Sequence, residues 1–138
     1  MCKVKLILRW IAVFPGSILG ALAVGAIIRF SEHMGLNRLG FDPNDPDPPF
    51  IVPIFLFITE CIASGVTGAV YIGLGIKIAP SYKKQTAIAL AIIGIAVLGA
   101  SFFAGLLERN YKVIVFQICF GIGLVGMAYE AFNNHSDL

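Results

Sequence analysis

The chain has 138 residues, 58% of them hydrophobic and 13% charged, with a mean hydropathy of +0.88 and a net charge of +2. Soluble domains carry about 25% charged residues, so a water-soluble globule is excluded, and with it a separate soluble catalytic domain. No basic patch extends beyond a cluster beside an apolar run, so nucleic-acid binding has no support.

The first apolar stretch, expected as a helix near Ile7–Ile28, is opened by Lys3, Lys5 and Arg9. Its length matches the roughly 20 residues that cross a bilayer. A basic start, an apolar core and the small residues Ala21, Ala23 and Ala26 resemble a signal peptide. We read the segment as a retained anchor. Ser17, Ala21 and Gly25 recur at four-residue spacing, with Gly16 and Gly20 beside them. Such ladders let helix backbones approach closely, which is what drives association when helix and lipid are equally apolar. Pro15 is tolerated near a helix start, and kinks the helix if Lys5–Trp10 is already helical.

The loop Ser31–Pro49 carries Glu32, Asp42, Asp45 and Asp47 among four prolines. It lacks the glycine and closing glutamate of a calcium-binding helix-loop-helix, and its prolines predict a stiff, extended spacer or partner contact. His33 stands beside Glu32 without a second histidine nearby, since His135 lies on the tail at the opposite face. No metal site is expected.

The second stretch, Phe50–Ile76, has Pro53 in its first turn and a ladder of Gly65, Ala69 and Gly73. It also holds Glu60. Hydrocarbon penalises an ionisable side chain by about 3 kcal/mol on insertion scales, so such a residue faces protein or water. At three- and four-residue steps Glu60 shares a face with Ser64, Thr67 and Tyr71.

Pro80 ends the second helix, because the residue before proline avoids the helical region. The third helix is expected near Thr86–Leu107, with a ladder of Ala96, Ala100 and Ala104. The turn Glu108-Arg109-Asn110 leads into the fourth, near Val113–Phe132, with Gly121, Gly123 and Gly126. Turns this short make neighbouring helices antiparallel. Counting from them, Ser101 sits at the height of Glu60, and Gln117 about one turn above, towards the outer surface.

Lipid offers backbone groups no partners, so spans are helices or closed barrels; these runs lack the alternation of barrel strands. The expected fold is therefore all-α: a polytopic, antiparallel four-transmembrane-helix bundle forming one domain over residues 1–138. Lys3, Lys5, Arg9, Lys77, Lys83 and Lys84 fall on one side, and Arg29, Arg38, Arg109 and Lys112 on the other. Basic residues stay on the cytoplasmic face, which places both termini in the cytoplasm and the chain in a plasma or inner membrane. Trp10, Tyr82 and Tyr129 then lie near the inner boundary and Tyr111 near the outer one.

Chemistry-bearing motifs are scarce. Cys2, Cys61 and Cys119 are far apart in sequence and form no CxxC pair. There is no HExxH, no GxSxG and no glycine-rich phosphate loop followed by lysine. Gly121-Ile-Gly123-Leu-Val-Gly126 matches GxGxxG only in letters, because no strand precedes it to build a dinucleotide site. No enzyme activity and no cofactor are expected.

Attention therefore falls on Glu60, Ser64, Thr67, Tyr71, Ser101 and Gln117. Three states are open to Glu60. It is protonated and hydrogen-bonded across helices, or it titrates as a proton or cation site, or it pairs with Arg29, Arg109 or a basic residue of a partner. The first is favoured. The expected role is structural or accessory, packing against another membrane subunit or a second copy within the bilayer. The alternative is a small proton- or cation-coupled transporter or channel.

Overall fold

The computed structural model describes residues 2–42 and 44–134, so the tail histidine, His135, lies outside the described residues. Four helices follow one another: α1 (Cys2–Arg38), α2 (Ile51–Ile78), α3 (Lys83–Leu107) and α4 (Tyr111–Asn134). All four are long and apolar enough to cross a membrane. Many of their large apolar side chains face outward: Leu19, Ile27, Ile92, Phe103 and Ile122 are each more than 60% exposed. In water, such a surface would be an aggregation liability.

Helix α1 is longer than its apolar run. Its 37 residues span about 55 Å at 1.5 Å per residue, nearly twice the hydrocarbon core of about 30 Å. It passes through Pro15 without ending, although proline forfeits one bond of the helical ladder. At its far end it continues to Arg38, absorbing the first eight residues of the expected outer loop. The stop is a Schellman motif. Gly40 adopts φ +80°, its N–H bonds to the Asn37 carbonyl at 3.1 Å, and the Phe41 N–H bonds to the Leu36 carbonyl at 3.0 Å. Only glycine enters that left-handed region without a Cβ penalty.

Beyond it the acidic loop is a series of turns rather than an extended spacer. The Asn44 N–H bonds to Asp42 Oδ1 at 2.9 Å, and the Asp47 N–H to Asp45 Oδ1 at 3.1 Å. Both aspartates act as local turn formers.

Helix α2 is the hub, packing on α1, α3 and α4, whereas α1 packs chiefly on α2. One side of α2 receives the α1 ladder: Gly25 meets Thr67, Gly20 meets Leu74, Gly16 meets Ile78, and buried Ser17 lies against Gly75. Ser17 satisfies its hydroxyl on the Val13 carbonyl at 2.6 Å. The other side meets α4 at backbone distance. A methyl added to Gly123 would collide with the Gly65 backbone, and one added to Gly68 with the Phe120 carbonyl. Gly73 completes this contact against Met127, and Ala69 between them is half-buried. Helix α3 closes the bundle through Gly94, which accommodates Leu124 and Tyr71. Ile72 and Leu124, both fully buried, mark the centre of the core.

The α3 ladder departs from expectation. Ala96, Ala100 and Ala104 are all exposed, and a methyl added to Gly99 would meet nothing within 4 Å beyond its own helix among the described residues. Spacing alone cannot say which face meets a neighbour. On α3 that face is set by Ala87, Leu90, Gly94 and Gly105, which are buried.

Candidate functional site

The antiparallel pairing of α1 and α2 brings the C-terminal part of α1 beside the first turns of α2. Arg29 there grips Glu60. Its Nη2 donates to Glu60 Oε1 at 2.5 Å, and its Nε reaches Oε1 at 3.2 Å and Oε2 at 3.3 Å. Glu60 is 22% exposed and Arg29 63%. The preferred expectation for Glu60, a protonated acid hydrogen-bonded across helices, gives way to a forked ion pair. The reason lies in geometry: guanidinium matches a carboxylate with two parallel donors, and α1 continues past its apolar run far enough to deliver one.

All six singled-out polar residues line one cavity. Glu60, Ser64, Thr67 and Tyr71 contribute from α2, Ser101 from α3 and Gln117 from α4, around a volume of about 520 Å³. They share a wall rather than a hydrogen-bond cluster. Thr67 Oγ1 donates to its own helix, to the Ala63 carbonyl at 2.7 Å. Gln117 Oε1 is buried with no hydrogen-bond partner among the described residues. Apart from Arg29, the remaining walls are apolar and include Phe14 and Leu22 of α1 and Val97 of α3. Leu22 and Val97 are 64% and 61% exposed, so the cavity opens sideways through the gap between α1 and α3.

A second chamber of about 630 Å³ lies beyond it, towards the C-terminal end of α1 and the start of α2. Its titratable lining is Arg29, Glu32, His33, Glu60 and Lys112. Arg29, Glu60 and Phe116 belong to both chambers, so the ion pair and one aromatic ring form the neck between them. Phe116 is held by Phe57, with ring centroids 5.5 Å apart. Glu32 is only 8% exposed, and its Oε1 finds no hydrogen-bond partner among the described residues.

Reading the sequence placed Glu32 and His33 in a solvated loop and Lys112 in a turn, and so missed this vestibule. A usable signal was present. From Arg29 to Arg38 only Gly35 disfavours helix, and the three-residue step from Arg29 to Glu32 puts both on one face. The two membrane cysteines, distant in sequence, also become neighbours: Cys61 and Cys119 meet as free thiols across the α2–α4 contact.

The helix-packing residues divide between two interfaces. Gly16, Gly20, Ala21 and Gly25 belong to the α1 side of the bundle, while Gly65 and Gly73 face α4. Comparison with protein-family models, curated proteins and solved structures finds no match, and the site is read from its own chemistry.

Proposed function

We propose that this chain is a small integral membrane protein with a structural or accessory role, packing against another membrane subunit or a second copy of itself. In this reading both termini lie in the cytoplasm, the acidic loop lies outside, and the host is a plasma or inner membrane. The observation that carries it is the state of α3. The ladders of α1 and α2, and Gly121 and Gly123 of α4, meet helices of the same chain, whereas Ala96, Gly99, Ala100 and Ala104 present a smooth outward face with no partner within the bundle. Close approach along such a face is a principal source of helix association in lipid. The ion pair fits the same role, since an acid neutralised by its own chain serves as scaffold.

Purification in mild detergent, followed by mass measurement, tests the proposal. A stoichiometric partner or a dimer is expected from the wild type, and its loss from Gly99→Leu with the fold intact. Recovery of the wild type only as a monomer counts against an accessory role.

One observation favours a transport reading as the alternative: every polar residue of the α2 stripe lines the same laterally open cavity. In reconstituted vesicles that reading requires Glu60→Gln to abolish proton or cation flux without disturbing assembly. Equal flux in the variant rejects it.

A further inference from the structure

The geometry points to a lipid-binding site in the paired chambers, selective for a zwitterionic phospholipid whose headgroup ends in a primary ammonium, the phosphatidylethanolamine class.

The deep chamber is walled mainly by apolar side chains and opens between α1 and α3, which share at most a marginal contact. Its mouth lies among side chains exposed on the apolar outer surface, such as Leu22 and Val97. What enters by that route is a molecule of the surrounding layer. A volume of about 520 Å³ falls within the roughly 300–1,000 Å³ typical of small-molecule sites. An acyl chain matches those walls.

The vestibule decides the headgroup, because it holds both signs of charge. Arg29 and Lys112 offer donors to a phosphate, and Glu32 and Glu60 offer acceptors to a cation. A purely anionic headgroup would leave Glu32 unmatched. Glu60 already has Arg29, whereas Glu32 is more than nine-tenths buried with an oxygen that no donor reaches among the described residues. A buried acceptor without a donor is costly, and a charged donor is its strongest partner. A primary ammonium carries N–H groups to satisfy it. A trimethylammonium carries the same charge and no N–H at all. The site thus discriminates between two lipids of equal net charge by hydrogen bonding alone.

Binding here requires neither the accessory nor the transport reading, and each of those can fail with this site intact.

Native mass spectrometry of the full chain in mild detergent provides the test, with phosphatidylethanolamine, phosphatidylcholine and phosphatidylglycerol of identical acyl chains supplied in equal amounts. The ethanolamine lipid is expected to exceed the choline lipid by about tenfold in the bound population, the size of one charge-assisted hydrogen bond. Glu32→Gln should bring the two within about twofold while its melting temperature stays near that of the wild type. Val97→Trp, which fills the mouth of the deep chamber and leaves Glu32 in place, should reduce both. Equal binding of the two zwitterionic lipids to the wild type overturns the proposal, and that result does not depend on any variant folding. A dominant glycerol lipid overturns it as well, as does an ethanolamine preference that survives in Glu32→Gln.

Discussion

Two sides of helix α2 follow opposite rules. Towards α4 the helices touch backbone to backbone, with Gly68 and Gly123 leaving no room for a methyl. Between α1 and α3 the bundle stays open, and polar side chains of α2 look into a cavity. Small residues occur on both sides. The difference lies in what stands opposite: a glycine facing a backbone closes the gap, whereas a glycine facing Leu74 or Leu90 receives a side chain and holds the helices further apart. The closed side is therefore the structural spine, and the open side is where a molecule can be accommodated.

The sharpest way to break this contrast is to put a side chain into the closed contact. Gly123→Ala is expected to cost about 3 kcal/mol, since the obstacle is backbone rather than a flexible side-chain end. Unfolding in a denaturing detergent titration would measure it. A cost below about 1 kcal/mol would mean that α2 and α4 stand further apart than described.

Next in size is the neck. Arg29→Ala strands Glu60 beside the apolar chamber, a loss of about 2 kcal/mol, at the low end for broken buried pairs because Arg29 is 63% exposed. Glu60→Gln is expected to cost about 1 kcal/mol, because an amide oxygen still accepts from Arg29. The double variant should lose less than the two single costs combined; strict additivity would show that the residues do not interact.

On the open face the expected sign reverses. Gly99→Ala meets nothing within 4 Å beyond its own helix among the described residues, and alanine exceeds glycine in helix propensity by about 1 kcal/mol. Thermal stability should therefore rise slightly. A loss of association in the same variant would locate a partner on that face. The smallest effect is expected at Arg109, which ends α3 in a left-handed conformation at φ 52°. Arg109→Gly should stabilise by about 0.5 kcal/mol, because relief of the Cβ clash is partly offset by greater freedom in the unfolded chain.

Much of the molecule was legible before any coordinates. Continuous apolar runs of fixed length, bounded by Pro80 and the short turn before Tyr111, define four helices and their alternating directions. The polar stripe from Glu60 to Tyr71, and its companions Ser101 and Gln117, follow from helical periodicity and turn length. Those features depend on local chain geometry and the absence of water in hydrocarbon. They need no knowledge of neighbours.

Other features were settled only when helices met. Helix α1 ends where Gly40 can close a Schellman motif, not where hydrophobicity stops, and those extra turns carry Glu32 into a buried position. Whether Glu60 pairs with Arg29, Arg109 or a hydroxyl depends on the rotation of α1 against α2, which side-chain packing fixes. The sequence by itself determined that the chain is apolar, helical and folded back on itself three times, because period and length act within one segment. Only the tertiary structure decided which small residues touch, where the acid finds its counter-charge, and where space is left between helices. Those are properties of two surfaces at once.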